Sequence, residues 1–477
     1  MSKNSVAGFV LAAICALSVF LISCGSTSSR PSGALYVLTE GSNGYGDNVS
    51  SFSVDLNTGG LSYINSNAST CPTAASQQNP EPCGLPLDIL LDPAGSNAFV
   101  LNQGTPCVLQ NGICEPNSPA TILPSIYPFT VNSDGSLSAP GTAVTWTANG
   151  YPDTAVAMTR DAAGQFLFVI DQGSYPYPGY PTPSPTNPSC PHNPQNAADV
   201  CPSISVFTMN NGTLSLASGS PFYLSKIPTA LSALAFTPVN GTAEELLFVT
   251  NNLDLCTASC VLPQHSDNTV SVYSVSSSGV LTETTSSPYA IAEADPISVM
   301  AVNTYSPTAG NNSGGVFVYV GSEDPNGGHL NPFQVCTSVQ IGGCTTLEVQ
   351  NNLFFPVTCP PQASCSVSPG QSPIQMAVDP TNNFLYVLSA GQNAVYGYSV
   401  ASSTGKLTAL SPASQQTGSA PVSLALHPSV NNTGQFLFVS NSNSNNVTPY
   451  TLNTTTGSMS ALPTVITPAT PSGVAVH

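Results

Sequence analysis

Fourteen cysteines and a thin set of carboxylates are the residues best able to do chemistry in this 477-residue chain. Twelve of the cysteines fall as neighbours: Cys71/Cys83, Cys107/Cys114, Cys190/Cys201, Cys256/Cys260, Cys336/Cys344 and Cys359/Cys365. Each pair lies in a Pro/Asn/Ser-rich stretch between strand-like segments. An even count in an exported chain points to disulfides, and adjacent pairing is the expected arrangement, although spacing alone leaves connectivity open. Zinc would want CxxC pairs or clustered imidazoles, and the five His residues are scattered. Among the remaining groups, Glu323 and His329 are the candidates for a general base and its partner. The sequence holds no G-x-S-x-G elbow, no H-E-x-x-H and no phosphate-binding glycine loop.

Charge narrows the possibilities further. Only 6% of residues are Asp, Glu, Lys or Arg, with 23 acidic against 5 basic and a formal net charge of −18. Nucleic-acid binding needs a basic stripe for the phosphates, and this chain has none. A phosphorylated ligand would also want Arg or Lys, and Arg160, Lys226 and Lys406 are the cations beyond Arg30. The 41% hydrophobic content is enough for a full core.

The N-terminus reads as a bacterial export signal. Lys3 gives a short positive region, Val6 to Ile22 is mostly apolar, and Leu21-Ile22-Ser23-Cys24-Gly25 resembles a lipobox. In this reading residues 1–23 are a lipoprotein signal peptide and Cys24 carries the lipid. Residues 24–32 then form the lipidated Cys and a flexible tether. The rest, 33–477, is exported and held to a bacterial membrane on its periplasmic or cell-surface side.

The elements that position these groups come from an internal repeat. One strand motif recurs seven times: Leu35-Tyr36-Val37, Ala98-Phe99-Val100, Leu167-Phe168-Val169, Leu247-Phe248-Val249, Val318-Tyr319-Val320, Leu385-Tyr386-Val387 and Leu437-Phe438-Val439. A strand opened by Pro precedes it, as at Pro373-Ile374-Gln375-Met376, and an alternating strand follows, as at Ala394 to Val400. A turn then carries Gly59, Gly135, Gly212, Gly279, Gly405 or Gly457, where a hairpin favours positive φ. Repeat five lacks that glycine, and its last hairpin is placed near Gln350-Asn351-Asn352-Leu353. The expected fold is all-β: a seven-bladed β-propeller of four-stranded antiparallel blades. The chain ends on a lone first strand, Pro471 to His477, and repeat one lacks one, so the C-terminal strand should pair into the first blade and close the ring.

At Phe436-Leu437-Phe438-Val439-Ser440-Asn441, Asn446 to Tyr450 and Thr456-Gly457, the repeat is similar to the YVTN type. The stretch 33–477 resembles the lactonase-like seven-bladed propellers, whose namesake is 6-phosphogluconolactonase. The resemblance implies the propeller fold and, as an activity, hydrolysis of a lactone.

Strand direction puts the loops after second and fourth strands on one face, and all six cysteine pairs follow such strands. That face should also carry a polar ring at the mouth of the central channel, three and four residues past each repeat aromatic. Its oxygen-rich side chains would suit Ca²⁺. Lactone-hydrolysing propellers of other kinds hold calcium with Glu, Asn and Asp at this place, which makes Glu40, Asn102, Asp171 and Asn251 the candidate ligands. Asp88, Asp153 and Asp295 fall on the same side. Taken together, the expected function is binding of a protein, glycan or small-molecule ligand through the disulfide-stapled face. Hydrolysis of a lactone or sugar derivative at the mouth is the first alternative, and a structural surface component the second.

Overall fold

A computed structural model describes the chain from Gly33 to His477 apart from 41–47, 70–84, 105–108, 111–112, 115–122, 148–153, 173–201, 225, 238–242, 255–267, 293–294, 309–310, 325–326, 337–353, 358–364 and 428–434. The signal segment, Cys24, the tether, Asp153 and Cys71, Cys83, Cys107, Cys190, Cys201, Cys256, Cys260, Cys344 and Cys359 therefore lie outside the described residues. All regular structure among the described residues is strand, gathered into seven antiparallel blades. Two small hairpins, at Leu109–Cys114 and Ser306–Ser313, are added to them.

Each repeat motif forms the second strand of its blade, as at Asn97–Asn102, Phe166–Asp171 and Phe384–Ser389. A strand flanked by others in its sheet and by neighbouring blades is covered on both faces, which explains its continuous apolar run. The central aromatics Tyr36, Phe99, Phe168, Phe248, Tyr319, Tyr386 and Phe438 are all fully buried. The core is a set of clusters between adjacent blades. One joins Val316, Val318 and Val320 of blade five to Phe248 and Val270 of blade four. Another joins Phe317 and Tyr319 of blade five to Leu385 and Val387 of blade six.

The hairpin glycines complete these seams. Gly405 and Gly457 have φ of 66° and 70°. A Cβ on Gly405 would stand 2.3 Å from Phe317, and one on Gly457 2.3 Å from Phe384. The same hairpins accept hydrogen bonds from the preceding blade: Tyr319 Oη donates to the Gly405 carbonyl at 2.9 Å and Tyr386 Oη to the Gly457 carbonyl at 2.8 Å.

Closure is as expected. Thr470–Val476 is the innermost strand of blade one, antiparallel to Ala34–Glu40, with Tyr36 opposite Ala475. Reciprocal 3.0 Å backbone bonds between Ala34 and His477 finish the join. Blade five ends on Phe354–Pro356, paired with Val335, Gln334 and Phe333.

Candidate functional site

The strand nearest the axis in each blade carries one unpaired residue at the same level. Between Pro86 and Asp88 the register steps past Leu87. The same step passes Val156, Thr229, Ile297, Ile374, Val422 and Ser472 in the other blades. Such a bulge re-aims its side chain and twists the strand. All seven residues are half-buried; Leu87, Val156 and Ile374 pack against the clusters between blades.

An innermost strand is also a sheet edge, so its channel-side backbone groups need partners. Side chains of adjacent blades supply them. Thr229 Oγ1 donates to the Pro296 carbonyl at 2.6 Å, and Ser472 Oγ to the Pro86 carbonyl at 2.8 Å. Just past the bulge, Gln375 Oε1 accepts the Leu424 amide at 2.7 Å and Ser423 Oγ the Val474 amide at 3.3 Å. Blade two places a carboxyl at this position. Asp88 accepts the Ile89 amide at 2.8 Å and a backbone bond from Met158 of blade three. Loss of hydration outweighs those two bonds and pushes the Asp88 carboxyl up to about 7.

The expected polar ring divides into two. Thr39, Asn102, Asp171, Asn251, Ser322, Ser389 and Asn441, three past each aromatic, are all buried. Glu40, Gln103, Gln172, Asn252, Glu323, Ala390 and Ser442, one step further, are all half-buried. The cause is strand alternation: consecutive side chains leave the blade on opposite faces. The first set turns toward its own third strand and the preceding blade. Asp171 accepts from Trp146 Nε1 of blade two at 3.1 and 3.2 Å, from Ser205 Oγ at 3.1 Å and from Ser203 Oγ at 3.4 Å. Asn251 Nδ2 donates to Ser271 and Thr269. Asn441 Oδ1 accepts from Thr417 at 2.7 Å. In the second set Gln172 Nε2 reaches the next blade, donating to the Pro228 carbonyl at 3.1 Å, whereas Ser442 Oγ stays in its own, donating to the Ala420 carbonyl at 3.0 Å. Of the four proposed calcium ligands, Glu40 is thus at the rim, while Asn102, Asp171 and Asn251 are buried in seams. Asp171 spends both oxygens on protein donors. These residues do not fit a shared cation. Among the described residues, no group of three or more His, Cys, Asp or Glu side chains converges as metal ligands do.

Glu323 and His329 are close in space but not aimed together. In blade five Ser322 pairs with His329 and Glu323 with Gly328, so the two side chains leave opposite faces of the sheet. Glu323 meets the next blade instead: Ser372 Oγ donates to its Oε2 at 2.8 Å. Ser372 has φ 52° directly before Pro373, and its carbonyl accepts the Ala390 amide at 2.9 Å. Asp295 repeats the conformation before Pro296 with φ 44°, accepts the Glu323 amide and donates its own to Asn268 Oδ1. Neither Ser372 nor this strained backbone is marked in the sequence, because most residues before Pro are extended. The following proline is the one available signal.

Two of the described cations stand away from this rim. Arg160 lies at the far end of its strand, donating from Nε to the Leu91 carbonyl at 2.7 Å and from Nη1 to that of Asp161 at 3.0 Å. Lys406 is in the exposed hairpin on the same far side. Lys226 opens the innermost strand of blade four on the mouth side, in register with Asp254. Among the described cysteines, Cys336 and Cys365 are each in a disulfide.

The fold defines the class: a seven-bladed β-propeller. Residues 357–477, about a quarter of the chain, match the family model described as lactonase, 7-bladed beta-propeller. A proposed 6-phosphogluconolactonase from Bacteroides fragilis superposes with a TM-score of 0.57 at 13% identity, over 95% of this chain and 99% of that one. The periplasmic gluconolactonase PpgL of Pseudomonas aeruginosa gives 0.56 at 14%, over 93% and 98%. A proposed 6-phosphogluconolactonase from Bacteroides uniformis gives 0.54 at 12%, over 93% and 99%. At such identities the likeness is one of fold. Curated protein sequences give no match.

Proposed function

We propose that this propeller binds an uncharged, hydroxyl-rich ligand, such as a glycan, at the mouth of its channel. One observation carries the reading. The half-buried rim is made of amides, hydroxyls and two carboxylates (Gln103, Gln172, Asn252, Ser442, Glu40 and Glu323), and the half-buried bulge residues at the same strand ends, Leu87, Val156, Ile297, Ile374 and Val422, are aliphatic. Amides and carboxylates hydrogen-bond sugar hydroxyls, and aliphatic side chains cover the apolar face of a sugar ring. Among the described residues an anionic sugar phosphate would meet two carboxylates in that ring, with Lys226 the one cation on the mouth side. In this proposal the chain is extracytoplasmic and lipid-anchored through Cys24, with the cysteine-bearing insertions framing the rim.

A second reading, opening of a neutral lactone, is favoured by Asp88. A carboxyl that titrates near neutrality in the channel wall is suited to take a proton from an attacking water. The lactonase family match and the gluconolactonase-titled neighbours support it. The two readings part on turnover. Hydrolysis of an unphosphorylated lactone that is lost in Asp88→Asn, with binding retained, establishes the second. Saccharide binding with no ring opening across a lactone panel leaves the first.

A further inference from the structure

We infer that the propeller, when anchored through Cys24, is held with its turn-bearing face toward the bilayer and its mouth turned away, and that the turn-bearing face stands off the lipid headgroups instead of docking on them. This rests on the lipid-anchor reading.

The entry point of the chain sets the orientation. Ala34 begins a second strand, and second strands run from the turn-bearing face to the mouth. Its amide and carbonyl are tied to His477, and the Gly33 carbonyl accepts the Val54 amide at 2.9 Å. Gly33 is packed in place: a Cβ there would lie 2.9 Å from Leu56, 3.1 Å from Val54 and 3.3 Å from His427. The anchor therefore joins the propeller at its short-turn end. From Cys24 to Gly33 nine residues span at most about 30 Å. The seven-residue strand that follows adds about 20 Å between that end and the mouth.

Charge decides whether the near face docks. Asp55 and Asp134 are exposed there, and Asp92, Glu244 and Glu245 half-exposed. Among the described residues, Lys406 is the exposed cation against them, because Arg160 is spent on two backbone carbonyls. Basic residues draw a protein onto anionic lipid, and this face has the opposite sign. The repulsion reaches about one Debye length, roughly 8–10 Å at moderate salt.

Energy transfer tests this with the lipidated full-length protein on phosphatidylethanolamine/phosphatidylglycerol vesicles carrying a headgroup acceptor. The donor is attached through an unnatural amino acid at Thr455, exposed in the blade-seven hairpin, or at Asn443, exposed at the mouth end of the same blade. Transfer from Thr455 is expected to be several-fold higher than from Asn443, and to rise with salt on these vesicles but not on neutral phosphatidylcholine. Equal or greater transfer from Asn443 overturns the orientation. Salt-independent transfer from Thr455 overturns the standoff. Failure of the anchor reading is distinguishable, because Cys24→Ala protein would then still float with the vesicles.

Discussion

Asp88 shows how one residue can be a structural stitch and a proton-binding group together. Its position is filled by neutral acceptors in blades six and seven, Gln375 and Ser423. In blade two the same bond to a neighbouring backbone amide is made by a carboxyl whose ionised form is poorly solvated. An unfolded Asp titrates near ~3.9, so between that pH and about 7 the native state holds a proton that the unfolded state has released. Stability from this group is highest below the unfolded value, falls as pH rises toward 7, and is flat above. Glu245, pushed up to about 7 by burial and by Asp161, acts in the same direction. Asp88→Asn keeps a neutral acceptor and removes the cost. We expect it to be more stable than the parent at pH 8 by roughly 2 kcal/mol, allowing for solvent reaching the half-buried residue. The gap should shrink at pH 5, read from urea midpoints. The chain has a single tryptophan. Trp146 sits in the same seam of blades two and three through Asp171, so its fluorescence reports the region directly.

Tyrosine hydroxyls make a sharper comparison. Tyr386 Oη is bonded to the Gly457 carbonyl, whereas Tyr36 Oη is buried with no hydrogen-bond partner among the described residues. Tyr386→Phe should therefore cost about 1 kcal/mol in chemical denaturation, and Tyr36→Phe should be neutral or stabilising.

At the scale of elements, the hairpin glycines are tolerance-free for two separate reasons. Gly457 needs positive φ, and any Cβ there would run into the Phe384 ring. Gly457→Ala should lose about 2–4 kcal/mol, more than the ~1 kcal/mol that a positive φ alone explains, measured as a fall in the unfolding midpoint. These elements were the most legible part of the sequence. The buried triplet around each aromatic, the Pro-opened strand and the turn glycine each follow from local physics, so their repetition gave the blades, their number and the closing strand. The bulge at Leu87, Ile374 and their equivalents was not legible, because it adds a residue without changing the apolar pattern. The split of the polar ring was half legible. Its residues could be counted off from the aromatics, but which of two consecutive positions is buried depends on how far each strand runs past its neighbours. That Asp171 would be consumed by Trp146 and two serines required the third strand and the adjacent blade.

For the whole molecule, closure by the last strand joins both ends of the propeller in one blade. Removing residues 470–477 would expose Ala34–Glu40 as an unpaired apolar edge. The truncated protein should lose its cooperative transition and associate, as sedimentation velocity would register. The low charge fits this construction, because strand ladders and seven apolar seams hold the ring with few ion pairs. It also leaves a mouth whose recognition groups are mainly neutral.

The most direct test of that mouth is calorimetric titration of the intact protein with neutral oligosaccharides and with their phosphorylated counterparts, repeated on Gln172→Ala. We expect neutral ligands to bind, phosphorylated ones to bind at least about tenfold more weakly, and the Gln172 substitution to cost roughly 1 kcal/mol of affinity. Tighter binding of the phosphorylated ligand, or affinity for neutral sugars unchanged by that substitution, would contradict the account.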